Sequence, residues 1–254
     1  MDKLDYSIVK SKIISFIKDY IYKNGFKNGI IGVSGGIDSA LVLALTVEAL
    51  GKENVFALLM PYKLSSEDSL KDGKIICEKL GIKYEIIDIS PSVDAYFKKY
   101  PTDNPLQIGN KCARERMSVL YDFSERKNAL VVGTSNKSEI LIGYATQYGD
   151  AAAAFLPIGD LYKTQVFEFS KILEIPISII NKKPSADLWE KQTDEDEIGL
   201  IYKDLDKILY NMVDLNKDDS SLIELGFAKD KINRVRALMR SSEFKRIMPP
   251  VAIL

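Results

Sequence analysis

The sequence predicts a protein of the α/β class, with an open, doubly wound parallel β-sheet, helices on both of its faces and a helical C-terminal part. Two observations lead to this prediction. In the first half of the chain, short apolar runs alternate with segments of helical periodicity, which is the pattern of strand–helix–strand crossovers. Beyond Leu161 the apolar residues recur mainly at helical spacing. The length of 254 residues permits one domain or two small ones.

The individual elements end where glycine, proline or polar residues interrupt the apolar pattern. The first segment is predicted to be an amphipathic helix because isoleucines recur at helical spacing, at Ile8, Ile13, Ile14, Ile17 and Ile21. Four strands are predicted at Gly29–Val33, Asn54–Met60, Lys83–Ile89 and Ala129–Gly133. Further helices are predicted at Asp38–Leu50, Ser66–Leu80, Asn110–Lys127, Lys163–Leu173, Ile198–Leu209 and Lys229–Met239.

Two segments lack a strong periodic pattern. The stretch Pro91–Pro105 is predicted to hold one short helix, and the polar stretch Lys182–Glu197 is predicted to be a long surface loop. Loops of this length in a compact protein are usually functional or disordered. We therefore expect both segments to move when the neighbouring site is empty.

The composition excludes several kinds of chemistry. The chain contains no histidine, which removes Ser-His-Asp catalysis, Cys-His catalysis and histidine-based metal sites. An enzyme with this sequence must use carboxylates, lysines, arginines, hydroxyls, backbone amides or a metal ion held by oxygen. The two cysteines, Cys77 and Cys112, are too few for a disulfide framework or a zinc site, so a reduced cytoplasmic compartment is expected.

Charge and hydropathy argue against two kinds of partner. The net charge of −1 gives no support to non-specific binding of nucleic acid. No apolar run is long enough to cross a bilayer, and Lys10 and Lys12 interrupt the early apolar residues that a signal peptide would need. We therefore expect neither a nucleic acid nor a membrane as a partner.

The segment Ser34–Ser39, with the sequence SGGIDS, carries the first functional prediction. It follows the first predicted strand, and open parallel sheets bind ligands at the carboxyl ends of their strands. Its two glycines let successive amides point at one anion, towards which the positive N-terminus of the next helix also points. Its serines add hydroxyl donors. Asp38 would repel a bare phosphate, so we expect it to hold a Mg²⁺ ion that bridges to phosphate oxygens.

The alternative interpretation of this segment is a tight strand-to-helix turn capped by Asp38. It is neither a Walker A loop nor a Gly-x-Gly-x-x-Gly fingerprint. Phosphate binding is favoured because a simple turn needs neither two serines nor an apolar strand that runs straight into them.

A second polar segment, Gly133–Glu139, follows the fourth predicted strand and is expected to face the same crevice. Glu139 lies about one turn into a new helix, and a carboxylate there would complete the Mg²⁺ site with Asp38. The alternative is a helix start capped by Ser135 or Asn136, with Glu139 in the first turn. The two interpretations are compatible, because a capping interaction also orders the ligand.

Residues 34–39 resemble the Ser-Gly-Gly-x-Asp-Ser signature of the ATP pyrophosphatase superfamily, whose members release pyrophosphate and leave AMP on the substrate. Additional motifs narrow the resemblance. They are GNKCARERM at 109–117, GTSNKSE at 133–139, PIG at 157–159 with Lys163, KPSADLW at 183–189 and QTDE at 192–195. With these motifs, the chain is similar over almost its full length to the ammonia-dependent NAD synthetases.

This resemblance implies a Rossmann-like sheet of the adenine nucleotide alpha hydrolase type, in a single domain over residues 1–254. It implies a carbon–nitrogen ligase that amidates deamido-NAD to NAD with ammonia and ATP, through an acyl-adenylate, releasing AMP and pyrophosphate. Mg²⁺ is the implied cofactor. The implied assembly is a homodimer with the deamido-NAD site at its interface.

The resemblance also implies roles for individual residues. The implied catalytic residues are Asp38, Glu139 and Lys163, and the implied Mg²⁺ ligands are Asp38 and Glu139. The implied ATP contacts are Ser34, Gly35, Gly36, Ser39, Thr134, Lys163 and Ser185. The implied deamido-NAD contacts are Arg114, Gln147 and Lys245. Three positions on the dinucleotide side depart from the commoner family pattern, namely Gln147, Ala154 and Phe244.

For some of these residues the sequence itself supplies an argument. Lys163 is predicted in the first turn of a helix, an unfavourable end for a cation, which favours a phosphate role over a solvated lysine. Arg114, without the resemblance, would be assigned as a surface charge. Arg116 is expected to be a structural or interface charge, and Cys112 to be packed rather than reactive. The acidic run Asp194–Glu197 is expected to lie in a solvated loop.

Two other functions remain open at this point. A related ATP pyrophosphatase could adenylate a different acceptor, as in tRNA thiolation or lysidine formation, but the cysteine pair, zinc cysteines or basic extension usual there are not evident. A nucleotide-binding module without catalysis is the other. Because no glutaminase segment is visible, free ammonia or ammonia from a partner is the expected nitrogen source.

Overall fold

The computed structural model describes residues 3–185 and 193–253 and contains one four-stranded parallel sheet. Its strands are β1 (Asn28–Gly32), β2 (Val55–Leu59), β3 (Tyr84–Ile86) and β4 (Ala129–Val131). Their order is β3-β2-β1-β4, with every pair parallel. The chain therefore moves outward from β1 to β3 and then returns to the other side of β1. This reversal creates a crevice at the carboxyl ends of β1 and β4, where ligands of such sheets bind.

The helices of the described residues, in chain order, are α1 (Tyr6–Lys23), α2 (Ile37–Leu50), α3 (Glu67–Leu80), α4 (Ser90–Lys99), α5 (Pro105–Lys127), α6 (Lys137–Ile142), α7 (Lys163–Ile172), α8 (Ile177–Asn181), α9 (Asp194–Ile198), α10 (Tyr202–Leu209), α11 (Asp219–Glu224) and α12 (Lys229–Ser241). None of them is both long and apolar enough to span a membrane.

The sheet is covered on both faces, because successive residues of a strand point to opposite sides. Ile31 of β1 belongs to an apolar core with residues of α1, α2 and α7, whereas its neighbour Ile30 packs into a second core with Val93 of α4 and Cys112 of α5. The predicted doubly wound α/β class is thereby confirmed. The prediction that Cys112 is packed is also confirmed, since its side chain is buried.

A third apolar cluster forms the helical C-terminal part. Leu205 of α10 and Ile232 of α12 are buried in it, together with Ile142 at the end of α6 and Tyr162 just before α7. This cluster therefore holds α6 and α7, which follow the sheet, against the C-terminal helices.

Several boundaries differ from the sequence prediction. Helix α5 begins at Pro105 rather than at residue 110, because the Asn104 side chain caps it by accepting from two backbone amides. The predicted helix Ile198–Leu209 is broken at Gly199, whose left-handed φ of +79° ends α9. Strand β3 spans only three residues. Helices α8 and α11 were not predicted.

The predicted loop Lys182–Glu197 is described only in part. Residues 186–192, which include Trp189, lie outside the described residues. The C-terminal end of the stretch is helical rather than loop, because α9 begins at Asp194 and Thr193 caps it by accepting from the Asp196 amide. The expected movement of this segment and of Pro91–Pro105 stays a prediction.

Candidate active site

The loop between β1 and α2 is shaped by two glycines and two serines. Gly35 has a φ of +77°, and a Cβ atom built on it would lie 2.1 Å from the backbone oxygen of Ser69 at the start of α3. Only glycine fits here for both reasons. The hydroxyls of Ser34 and Ser39 lie 3.1 Å apart, and the Gly36 amide donates to Ser34 Oγ over 3.2 Å. The loop is thus a fixed turn at the N-terminus of α2, as phosphate binding requires.

Asp38 lies in the first turn of α2 but does not cap that helix, whose N-cap is Gly36. Its Oδ1 accepts a hydrogen bond of 2.9 Å from Asn136 Nδ2, and its Oδ2 lies 2.5 Å from Lys163 Nζ. The capping alternative for Asp38 is therefore not what the structure contains. The carboxylate points across the crevice to the segment that follows β4.

Glu139 belongs to a capping box at the start of α6. Its amide donates to Asn136 Oδ1 over 3.0 Å, and its Oε2 accepts from the Asn136 amide over 3.3 Å. This confirms that a capping interaction orders Glu139. The same Asn136 side chain, which is fully buried, also holds Asp38. Asn136 was predicted as a possible cap, but no local feature of the sequence indicates its bond to Asp38.

Lys163 is the first residue of α7 and joins the two carboxylates. Its side chain is 4% exposed, and its Nζ lies 3.3 Å from Glu139 Oε1 as well as 2.5 Å from Asp38 Oδ2. The aromatic ring of Tyr202 lies 5.3 Å from the same nitrogen. Of the three residues predicted to be catalytic, Lys163 is therefore in direct contact with both of the others.

Burial and charge act against each other at these groups. Burial disfavours the charge of Lys163, but its ion pairs with Asp38 and Glu139 prevail and raise the pKa of the ammonium, which stays charged. Burial raises the pKa of Glu139 to about 8, although the Lys163 charge opposes that rise. Two carboxylates against one ammonium leave the cluster short of positive charge when all three are ionised. Such a cluster attracts a further cation.

The donor set suits Mg²⁺ that arrives with a phosphate ligand. Asp38 and Glu139 offer carboxylate oxygens, and Mg²⁺ is commonly bound by one or two carboxylates together with substrate phosphates and water. Within residues 3–185 and 193–253, no group of three or more acidic or cysteine side chains could hold a metal by itself. Phosphate oxygens would have to complete the coordination.

A cavity of about 550 Å³ extends from this cluster along the crevice, a volume in the usual range of small-molecule sites. The predicted ATP contacts that line it are Ser34, Gly36, Ser39, Thr134, Lys163 and Ser185. Gly35, which was also predicted to contact ATP, is not among the described lining residues, because it packs against Ser69. The crevice therefore brings together segments that follow β1 and β4 with the segment at residues 182–185.

Lys182 forms part of the cavity wall that the sequence did not indicate. Its Nζ donates to Ser69 Oγ over 2.8 Å and lies 3.6 Å from Asp72 Oδ2. Ser69 also packs against Gly35 of the loop at residues 34–39, called the phosphate loop below. Lys182 therefore connects the segment leading to Ser185 with this loop through Ser69.

The residues predicted to contact deamido-NAD lie in two places. Lys245 lines the cavity, and its Nζ donates to the backbone oxygens of Gly143 and Ala145, each over 2.8 Å. Arg114 is exposed, donates to the Gln147 backbone oxygen over 3.3 Å, and like Gln147 is absent from the described lining of the cavity. Their predicted contacts with the substrate stay predictions.

Arg116, expected to be structural or interfacial, lines the cavity instead of pointing away from it. Its Nε donates to the backbone oxygen of Met60, just beyond β2, over 2.9 Å. This bond holds the start of the segment after β2 against α5, so a structural role and a position at the cavity coincide.

Asp194 was expected in a solvated loop, but its side chain is buried near the cluster formed by Lys163, Asp38 and Glu139. It accepts hydrogen bonds from Tyr144 over 3.1 Å and from Tyr202 over 3.2 Å. Burial raises the pKa of Asp194, and the nearby Lys163 charge opposes that rise. The cap at Thr193 was the local signal for a helix here, whereas the hydrogen bonds come from Tyr202, eight residues later, and from Tyr144, which is far away in sequence.

Comparisons with known proteins agree with this geometry. The family model described as NAD synthase matches residues 9–249. The NH(3)-dependent NAD(+) synthetase of Fusobacterium nucleatum is 50% identical over 99% of this chain and 98% of its own length. The NH3-dependent NAD synthetase of Campylobacter jejuni, solved with nitrate, is 37% identical with a TM-score of 0.85, over 99% of this chain and 100% of that one.

A further solved structure with a similar fold is the NMN synthetase of Francisella tularensis. It is 31% identical with a TM-score of 0.88, over 99% of this chain and 100% of that one. The match of the family model over most of the chain, the half-identical relative and the shared fold lead to one conclusion: this chain belongs to the NAD synthase family.

Proposed function

We propose that this chain is a ligase that amidates deamido-NAD to NAD, with ammonia as the nitrogen source and ATP as co-substrate. The observation that carries the proposal is the contact of Lys163 with both Asp38 and Glu139 at a cavity that the phosphate loop also lines. The relatives named as NH(3)-dependent NAD(+) synthetases support the choice of acceptor and nitrogen source.

The first step activates the nicotinate carboxylate, which is a poor acylating group because its leaving group would be oxide. A carboxylate oxygen attacks the α-phosphorus of ATP, and the bond from that phosphorus to the pyrophosphate breaks. Negative charge develops on the departing pyrophosphate. The loop at residues 34–39 and the Lys163 ammonium are fixed beside one another to receive that charge, so little reorganisation is needed.

Asp38 and Glu139 would hold Mg²⁺, which when bound neutralises phosphate charge and orients the triphosphate. The capping box and the Asn136 bond keep both carboxylates in position. Lys163, tied to both carboxylates, keeps its positive charge at the point where pyrophosphate would leave.

The second step forms the amide. The ammonia lone pair attacks the acyl carbon, the carbon–nitrogen bond forms, and the bond from that carbon to the AMP oxygen breaks. AMP and one proton are released. Since AMP is a good leaving group, positioning and electrostatics can carry this step without a histidine. Burial raises the pKa of the Cys112 thiol, which makes it unsuited to a glutaminase role.

We further propose a single domain over residues 1–254, a homodimer with deamido-NAD at the interface, and a cytoplasmic location. The exposed Arg114 and the partly buried Gln147, both outside the described lining of the cavity of one chain, suit a substrate site that a second chain completes. The apolar cluster that joins α6 and α7 to the C-terminal helices supports one cooperative unit.

A second candidate acceptor is the carboxylate precursor of NMN, because the NMN synthetase of Francisella tularensis shares the fold. The test is an acceptor panel in which the protein receives ATP, Mg²⁺ and ammonium with deamido-NAD, the NMN precursor or no acceptor. We expect AMP and NAD in equal amounts with deamido-NAD. A preference for the NMN precursor would support the second candidate, and AMP without any amide would indicate another acceptor.

The nitrogen source is tested in the same assay by replacing ammonium with glutamine. We expect turnover with ammonium and little with glutamine. Equal turnover with glutamine would contradict ammonia dependence, and absence of both AMP and NAD under all conditions would leave a non-catalytic nucleotide-binding module.

A further inference from the structure

We propose that Asp206, a buried residue of α10, is a positioning residue that fixes Glu139 and Lys163 relative to one another. This inference rests on the proposed function, since it concerns the geometry of the residues that carry it. Asp206 has no exposed surface and touches neither of the two side chains directly through its carboxylate. It acts through their neighbours in the chain.

The Asp206 carboxylate bridges the first turns of two helices. Its Oδ1 accepts from Ser138 Oγ over 2.5 Å, and its Oδ2 accepts from the Thr164 amide over 2.8 Å. Ser138 Oγ in turn accepts from the Lys163 amide over 2.9 Å. Two hydrogen bonds to one buried carboxylate, together with the bond between the Lys163 amide and Ser138, therefore connect α6 with α7.

The residues that Asp206 contacts are adjacent in sequence to two residues of the proposed catalytic cluster. Ser138 directly precedes Glu139 in α6, and Thr164 directly follows Lys163 in α7. The amides of Lys163 and Thr164 lie in the first turn of their helix, where backbone N–H groups have no acceptor within the helix. Asp206 and Ser138 supply those acceptors from outside, and a negative charge is favourable at this helix end.

Filling space in the core does not explain why a carboxylate stands at position 206. Burial raises its pKa, and the hydrogen bonds from Ser138 and Thr164 oppose that rise. A buried carboxylate is costly, and an apolar side chain of similar size would fill the same space. An apolar residue would, however, leave the Thr164 amide and the Ser138 hydroxyl without their acceptor, and would loosen the turn that carries Lys163.

The experiment compares Asp206→Ala, Asp206→Asn and Ser138→Ala in the full chain, with Asp204→Asn as the matched control. Asp204 lies on the same helix but pairs near the surface with Lys231, over 2.6 Å. For each variant we would measure thermal unfolding by circular dichroism. At a temperature where all are folded, we would determine kcat and the KM values for ATP and deamido-NAD.

We expect Asp206→Ala to lower kcat about 10- to 100-fold, with smaller changes in both KM values, because a displacement of about 1 Å has such effects. Ser138→Ala should lower kcat in the same direction by less. Asp206→Asn should recover part of kcat, since its amide oxygen can still accept from Thr164 and its amide nitrogen can donate to Ser138. Asp204→Asn should stay within about twofold of the parent protein.

A kcat within about twofold of the parent for folded Asp206→Ala, with only the unfolding temperature lowered, would overturn the inference. If Asp206→Ala does not fold, Ser138→Ala and Asp206→Asn decide it by the same criterion. Failure of the proposed function is distinct, because then the unmodified protein itself would form no NAD.

Discussion

Lys163 Nζ lies 2.5 Å from Asp38 Oδ2, although 125 positions separate the two residues in the chain. The contact joins the first turn of α7 to the first turn of α2 across the carboxyl ends of β1 and β4. It thereby fixes a cation beside the phosphate loop, with the Glu139 carboxylate on the same nitrogen. Charge compensation in this cluster leads to the first two predictions.

Replacing either carboxylate by its amide should strongly reduce turnover while the fold stays intact. We expect Asp38→Asn and Glu139→Gln each to lower kcat for NAD formation at least about 100-fold, since each removes a charged oxygen from the proposed Mg²⁺ site. The assay is NAD formation over a Mg²⁺ titration. Asp160→Asn is the control, because Asp160 is 96% exposed and pairs with Lys137 at the surface. Near-normal turnover in both site variants would refute the metal assignment.

Removing the Lys163 ammonium should leave the negative charges of the Asp38 and Glu139 carboxylates without their counter-ion. We expect Lys163→Met to lower kcat about 1,000-fold, because it loses the charge that stabilises the leaving pyrophosphate. Its Tm should also fall, and added Mg²⁺ should restore Tm more in the variant than in the parent protein, because the ion replaces the missing charge. Thermal scans with and without Mg²⁺ provide the measurement. An equal Mg²⁺ effect on both proteins would count against the shared site.

The phosphate loop should not tolerate a side chain at position 35. We expect Gly35→Ala to destabilise the fold and to reduce kcat/KM for ATP, because its Cβ would lie 2.1 Å from the Ser69 backbone oxygen. Gly25→Ala is the matched control, since Gly25 has a similar φ of +80° and no atom within 4 Å of the added Cβ. That control should cost only about 1–3 kcal/mol of backbone strain, measured by denaturant unfolding. Equal effects of the two substitutions on kcat/KM would contradict this account of the loop.

The bond from Lys182 to Ser69 should contribute to ATP binding rather than to chemistry. We expect Lys182→Met to raise KM for ATP about 3- to 10-fold with a smaller change in kcat, because the segment leading to Ser185 loses its link to α3. Lys10→Met serves as the control, since Lys10 pairs with a half-exposed Glu48 far along the chain. An unchanged KM for ATP would show that the link has no part in binding.

Local sequence signals were sufficient for the sheet and for much of the crevice. The apolar strand before Ser34 and the glycines after it predicted a turn at the N-terminus of a helix, and that turn is present. The polar residues after β4 predicted an ordered Glu139, and its capping box is present. Each of these features is formed by residues that lie within about one helical turn of one another. A single segment of the sequence is therefore enough to predict it.

The rest depends on contacts between segments far apart in sequence. Nothing near Asn136 indicates its bond to Asp38, and nothing near Asp194 indicates its bond to Tyr144. Lys182 and Asp206 look like ordinary polar residues of a loop and a helix. Their partners become neighbours only when the sheet brings α3, α6 and α7 to one edge, so the sequence alone could not assign them.

We propose that the nicotinate carboxylate attacks the α-phosphorus of ATP in the crevice that Lys163 and Asp38 line. The most direct measurement uses deamido-NAD labelled with ¹⁸O in both carboxylate oxygens, with mass analysis of the products. We expect one ¹⁸O atom in each AMP and one in each NAD amide, because one carboxylate oxygen leaves with AMP. Unlabelled AMP formed together with NAD would contradict it.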